Sequence, residues 1–171
     1  LYTLHPVEKL TLDAGFGLAY ENDTLDKDFH LYPKLYAHYQ IAKRVSAKAS
    51  LSGQIQAVSL HSLSDENPWL APNVLVNHTN EAFVLASAIE AAIGKNIKAE
   101  VGGSIASLQN LYFYQNNPTD QSRFNLLYDD GATERVNFYG VLDHAIAKKS
   151  YISLRADWFG YVTDTLAAAW H

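Results

Sequence analysis

The side chains able to do chemistry here are acids, bases and histidines, and their spacing does not indicate a metal site. The chain has seven histidines, but His30 and His38 are eight residues apart, about 26 Å along a strand. Asp23, Asp26 and Asp28 lie close in sequence but lack the residue order and the glycine of an EF-hand calcium loop. We therefore predict no metal site and no cofactor.

A catalytic centre is not indicated either. Serine, histidine and aspartate all occur, but no nucleophile-elbow motif surrounds any serine. Asp143 and His144 are adjacent, so on a strand their side chains point to opposite faces. Arg155 and Asp157 share a face, which suits an ion pair better than a reaction. We predict that the protein is not an enzyme.

Composition excludes several other classes. The 171 residues carry a net charge of −5, which argues against nucleic acid as a partner. Cysteine is absent, so disulfides and thiolate metal sites are excluded. Methionine is absent too, which indicates a processed chain or a piece of a longer one.

The elements that must position the charged residues are strands with a two-residue period. In residues 9–20, Leu12, Phe16 and Leu18 share one face, and Thr11 and Asp13 share the other. The same alternation predicts strands at 29–42, 47–60, 97–114, 133–146 and 150–162.

Residues 82–93 fit two structures. Their alanines, leucines and glutamate favour a helix that Gly94 would end. With a period of two, Phe83, Leu85 and Ile89 instead share one face, and residues 94–96 form a hairpin turn. Because the neighbouring segments repeat a hairpin pattern, we predict a strand.

Short turns alternate with long loops along the chain. The turns are predicted at 5–9, 42–46, 94–96 and 147–150, and a long polar connection spans 61–80. Strands of about fourteen residues exceed the five or six that are usual in globular proteins. The fold class predicted is all-β: an antiparallel up-and-down meander of long strands, forming a β-barrel or part of one.

The charges lie on one face of these strands. Between the strand ends, the apolar faces contain no Asp, Glu, Lys or Arg, as the outside of a membrane barrel requires, because a charge at the bilayer midplane costs about 2–4 kcal/mol. The other face would then line a polar lumen. The candidate lumen residues are Asp13, Lys34, Lys48, Glu90, Lys98, Glu100, Asp143, Arg155 and Asp157.

The two ends of the sequence lead to a further expectation. "LYTL" has the pattern of the end of a strand, and "DTLAAAWH" that of the start of a loop. We therefore expect residues 1–171 to be a single segment of a longer barrel, whose partners are outer-membrane lipid and the remaining strands or a plug.

One part of the chain resembles a known family. "SRFNLLYDDG" (122–131) and "NFYGVLDHAIAKKSYISLRADWFGYVTDTLAAAWH" (137–171) resemble the late part of outer-membrane β-barrels of the TonB-dependent receptor-like kind. The resemblance implies a wall around a lumen in a Gram-negative outer membrane. It carries over no substrate residue, and neither an energy-coupling box nor a plug domain is visible in the chain.

A second hypothesis stays open. A soluble secreted β-barrel or β-sandwich would show the same alternation and could bind a small apolar ligand. The two hypotheses place Leu12, Leu35, Leu51 and Leu154 on opposite sides, toward lipid in the first and into a cavity in the second.

Overall fold

The computed structural model describes residues 1–22, 27–129, 131–147 and 150–162. Asp23 and Asp26, residues 148–149 of the fourth predicted turn, and residues 130 and 163–171 of the family resemblance lie outside the described residues. The elements are β1 (Tyr2–Val7), β2 (Leu10–Asn22), β3 (Lys27–Ala42), β4 (Val45–Gln56), α1 (Leu60–Glu66), β5 (Thr79–Ile93), β6 (Ile97–Gln109), β7 (Tyr112–Asn116), β8 (Phe124–Tyr128), β9 (Ala132–Ala147) and β10 (Ser150–Val162).

Eight strands form one antiparallel sheet in the order β1-β2-β3-β4-β5-β6-β9-β10. Consecutive strands are neighbours throughout, except that the separate β7-β8 hairpin is inserted between β6 and β9. This confirms the predicted all-β antiparallel meander. Within the described residues the sheet is open, because β1 and β10 each pair with one neighbour only.

The ambiguous segment 82–93 is a strand, as predicted. It lies within β5, which pairs with β4 and β6, so that Leu85 is opposite both Leu51 and Ile105. Gly94 then adopts a φ of 71°, which glycine tolerates, in the short turn to β6. Hydrogen bonds to two neighbouring strands outweigh helix propensity, which is a weak local preference.

Several predicted boundaries were wrong, among them the turn predicted at 42–46, which is only residues 43–44 because β3 continues to Ala42 and β4 begins at Val45. The strand predicted at 47–60 ends at Gln56, because Ser59 begins α1 through reciprocal hydrogen bonds with Ser62. The strand predicted at 97–114 ends at Gln109, where Asn110 turns the chain with a φ of 56°. The turn predicted at 5–9 is shorter, since β1 continues to Val7.

The cluster of buried aliphatic residues lies in the long loops rather than on the sheet. We define the loop cap as residues 57–78 and 110–129, which contain α1 and the β7-β8 hairpin. Val58, Leu63 and Leu70 are buried at its centre. Around them pack Val74, Val76, Tyr112, Tyr114 and Leu126.

Hydrogen bonds join the two segments of the loop cap. The Tyr112 hydroxyl donates to Glu66 Oε2 at 2.7 Å. The Phe124 backbone bonds to Trp69 and Ala71, with N···O distances of 2.9 and 2.8 Å. The described part of the chain contains no helix with the length and hydrophobicity of a membrane span.

Candidate functional site

The register assigns each strand residue to one of two faces. The face we call apolar carries Phe16, Leu18, Leu31, Leu35, Leu51, Leu85, Ile89, Val101, Ile105, Val136, Phe138, Leu142, Leu154 and Trp158. In the described strands, the acidic or basic residues along this face are Lys27 and Glu134, near the long-loop ends of β3 and β9, and His144, near the short-turn end of β9. The opposite side, the polar face, carries the Asp, Glu, Lys and Arg residues between those ends.

At several positions, burial on the two faces is the reverse of that in an ordinary soluble sheet. Leu154 is 64% exposed and Val101 is 61% exposed on the apolar face. On the polar face the Glu81 side chain is only 9% exposed, and Asn137 is buried. Acids are normally among the least buried residues and aliphatic side chains among the most buried. The sheet therefore leaves its apolar face open, whereas its polar face is buried at Glu81 and Asn137 and about half exposed at Phe159.

Lys48 joins two acidic residues at the centre of the polar face. Glu90 on β5 and Glu100 on β6 are directly opposite each other. The Lys48 ammonium lies 2.8 Å from Glu90 Oε2 and 3.0 Å from Glu100 Oε2. Facing carboxylates repel, and the shared cation replaces that repulsion with two charge-assisted hydrogen bonds.

The row continues onto β9 and β10 through Tyr139. Its hydroxyl donates to Glu100 Oε1 at 2.7 Å, and the Arg155 guanidinium lies 4.5 Å from the centre of its ring. Arg155 also binds both carboxylate oxygens of Asp157, at 2.7 and 2.8 Å. We call this row the charge ladder; its members are Lys48, Glu90, Glu100, Tyr139, Arg155 and Asp157.

Gly102 makes room for the ring of Tyr139, which is its register partner. A Cβ on Gly102 would lie 2.7 Å from the Tyr139 hydroxyl oxygen and 2.8 Å from the Ser87 carbonyl oxygen. Both distances are shorter than van der Waals contact, so the position requires glycine. The ladder depends on this close approach.

The other four predicted lumen candidates share the polar face but not the ladder. Asp13 accepts a hydrogen bond of 2.5 Å from the Thr3 hydroxyl. The Lys34 side chain lies beside Gly17. Lys98 and Asp143 are register partners on β6 and β9. Of the nine predicted residues, the structure brings together Lys48, Glu90, Glu100, Arg155 and Asp157.

Sequence reasoning missed two smaller polar groups nearer the long loops. Glu81 Oε1 lies 3.0 Å from Arg135 Nη2, and Glu81 Oε2 accepts from the Gln54 amide at 2.7 Å. Glu21, 3% exposed, lies 2.8 Å from His30 Nε2. Arg135 continues the alternation of Asn137 and Tyr139, so its place on the polar face could have been predicted from the sequence. The place of Glu81 could not have been predicted, because Glu81 lies beside a register shift in β5.

The arrangement suits a wetted surface rather than a reaction centre. The ladder's cations are hydrogen-bonded to its own acids, and its charged side chains remain between 24% and 55% exposed. Among the described residues, no three His, Asp or Glu side chains are grouped so as to hold a metal ion. Such a surface can offer polar contacts to water and to polar solutes along the sheet.

Comparisons with protein-family models, with curated proteins and with solved structures found no match to this chain.

Proposed function

We propose that this chain forms part of the wall of a Gram-negative outer-membrane β-barrel, with its apolar face toward lipid and its polar face toward the lumen. Its role is transport or structural. The TonB-dependent receptor-like kind is proposed on the resemblance of residues 122–171. The partners are outer-membrane lipid and further barrel strands or a plug.

The exposure of the apolar face is the observation that carries this proposal. An apolar surface extending across eight strands is far larger than the isolated patches of soluble monomers. Water penalises that surface, whereas lipid solvates it. The same bilayer excludes charges, which accounts for their absence from the central part of the apolar face in the described strands.

The height of the apolar face also supports the proposal that this face lies in a membrane. On β10 it runs from Ile152 to Val162, which corresponds to about 34 Å along the strand. With the tilt of about 40° that is usual in such barrels, the band would be about 26 Å high, close to the height of a barrel's apolar belt.

A paired arginine substitution tests the proposal. Leu35 and Tyr36 are adjacent on β3, have similar exposure and lie on opposite faces. In lipid vesicles, Leu35→Arg should lower the free energy of unfolding by about 2–4 kcal/mol, as at a bilayer midplane. Tyr36→Arg should cost less than about 1 kcal/mol, because its side chain reaches water. Equal costs, with sharp folding in plain buffer, would overturn the proposal.

The soluble alternative predicts the opposite pattern. A ligand cavity would require the apolar face to close on itself, and Leu35→Arg would then bury a charge while detergent would be unnecessary. No contact in the described structure favours that arrangement over the membrane proposal.

A further inference from the structure

We infer that a depression on the polar face, between Tyr36 on β3 and Tyr139 on β9, binds a neutral ring molecule with hydroxyl groups around its rim, the chemistry of a single sugar ring. The depression has a volume of about 160 Å³. This volume is about half that of the smallest usual pocket for a drug-sized ligand, so it suits one ring rather than a large solute. The polar face alone forms the depression, so this inference goes beyond the proposed function and does not depend on it.

The strand register forms the depression. Tyr36, Ser50 and Ala86 are aligned across β3, β4 and β5. The next row runs from Ala88 on β5 to Tyr139 on β9. Because β4, β5 and β6 separate β3 from β9, the two tyrosine positions are about 19 Å apart at ordinary strand spacing. The two rings therefore bound an open space whose floor is formed by serine and alanine.

Tyr139 is a wall that is held in place before a ligand binds. Its hydroxyl donates to Glu100, and the Arg155 guanidinium lies over its ring from β10. The depression is on the other side of β9, toward β4 and β5, so Arg155 does not block it. A wall that is already fixed loses little conformational entropy when a ligand packs against it. Tyr36, 39% exposed, forms the opposite wall.

Lys48 and Ser50 supply polar contacts between the two walls. In the described part of the chain, the Lys48 ammonium uses two of its three N–H groups on Glu90 and Glu100. Lys48 also lines the depression, so the third N–H can donate to a hydroxyl oxygen of a ligand. The Ser50 hydroxyl lines the depression as well and can donate or accept.

The charges around the depression favour a neutral ligand. The Lys48 ammonium lies 2.8 and 3.0 Å from two carboxylates, so an anion would meet a cation that is already neutralised. A cation would be repelled by Lys48 at the same place. A sugar ring instead has apolar C–H groups on its faces, which pack on aromatic rings, and hydroxyl groups at its rim. These two kinds of surface match the tyrosine walls and the donors between them.

Ligand-observed NMR tests the site, with methyl α-glucopyranoside as the probe. The whole chain is reconstituted in phosphatidylcholine vesicles, and empty vesicles give the background. Saturation transfer from the protein to the sugar should be detected, with a Kd of about 1–10 mM because the depression is small and open. Acetate and tetramethylammonium ions should bind at least tenfold more weakly. Absence of transfer to the sugar, or tighter binding of either ion, would show that the inference is wrong.

Substitutions in the depression locate the binding. Tyr36→Ala should weaken sugar binding at least tenfold, whereas Tyr36→Phe, which keeps the ring, should change it less than threefold. Tyr39→Ala is the matched control and should leave binding unchanged, because Tyr39 has similar exposure on the same strand but lies on the apolar face. Ala86→Leu fills the depression without removing either ring and should also weaken binding at least tenfold. Equal effects of Tyr36→Ala and Tyr39→Ala, or unchanged binding by Ala86→Leu, would contradict the site.

Failure of this inference can be told apart from failure of the proposed function. Comparison of Leu35→Arg with Tyr36→Arg reports whether the apolar face lies in lipid, whereas sugar binding reports on the polar face alone. If the two arginine variants differ as expected and the sugar does not bind, the site alone is wrong. If the sugar binds and the two variants cost the same, the site is supported and the membrane proposal is contradicted.

Discussion

Glu90 and Glu100 are opposite each other on neighbouring strands, and each accepts a hydrogen bond from the same ammonium group, that of Lys48. Two facing carboxylates on a sheet destabilise it unless a cation lies between them. The pair therefore makes β5-β6 pairing dependent on a side chain from β4. This dependence links three strands into one polar unit.

Removing the shared cation should destabilise the sheet. Lys48→Gln leaves Glu90 and Glu100 facing each other without compensation, and we expect a loss of about 1–2 kcal/mol, reduced by the partial exposure of these side chains. Urea unfolding in vesicles or detergent measures the change. Lys43→Gln, at an exposed position in the β3-β4 turn, is the matched control and should change stability by less than about 0.5 kcal/mol.

A second substitution tests the cause of that loss. Adding Glu90→Gln to Lys48→Gln removes the repulsion and should recover most of the stability. If the double variant is as unstable as the single one, repulsion between the carboxylates is not the reason.

Gly102 should not tolerate a methyl group. Gly102→Ala places a Cβ against the Tyr139 ring and the Ser87 carbonyl, and we expect a loss of about 1–3 kcal/mol, as for overpacking. The hydrogen bond from Tyr139 to Glu100 should break as the ring moves. Gly140→Ala, where no atom lies within 4 Å of the new Cβ, is the control and should be neutral. Equal losses at both positions would contradict the packing argument.

Tyr112 and Tyr114 of the loop cap should lose their hydroxyl protons at a higher pH than an ordinary tyrosine does. Burial first, and then the charge of Glu66, raises the pKa of Tyr114 to about 12. The pKa of Tyr112 is raised by burial first, then by its hydrogen bond to Glu66. Glu66→Gln should lower the pKa of Tyr112 but leave it above the ordinary value near about 10, because burial remains. The absorbance of tyrosinate measures the pKa of Tyr112. Asp65→Asn, which removes an acid paired with His61, is the control and should leave that pKa unaltered.

The same shift sets the alkaline limit of the cap. A group whose pKa is higher in the folded state contributes stability that is complete below its unfolded pKa. For Tyr114 that contribution is therefore present below about pH 10 and is lost as the pH rises toward about 12. Urea unfolding measured at successive pH values should show this loss of stability over the interval. A loss that begins near neutral pH would contradict this origin.

The strands could be predicted because each side chain's face follows from its position alone. The alternation of apolar and polar residues from Val136 to Leu142 predicted β9. The same alternation predicted a strand at residues 82–93, although their composition favours a helix. The charge ladder could not be predicted as a unit, because contact between Lys48 and Glu100 depends on the register of three strands. That register depends on turn lengths and on the shift near Ala82, for which the sequence carries no clear signal.

The loop cap was missed for a different reason. Val58, Leu63 and Leu70 are spread over a polar connection without a fixed period, and they become a core only when the β7-β8 hairpin packs against them. Helix α1 has seven residues, too few for a recognisable helical pattern. Ser59 and Ser62 did provide a local signal, since two serines at this spacing can form reciprocal caps.

The central claim is that lipid covers the apolar face, and the adjacent residues Trp158 and Phe159 test it most directly. Both are about half exposed, and they lie on opposite faces of β10. In a chain with Trp69→Phe and Trp170→Phe, Trp158 is the remaining tryptophan. In vesicles of acyl-brominated phosphatidylcholine, the fluorescence of Trp158 should be strongly quenched by the lipid and only weakly by aqueous iodide. With Trp158→Phe and Phe159→Trp added, the preference should reverse. Equal quenching of the two chains by lipid, or stronger iodide quenching of Trp158, would contradict the account.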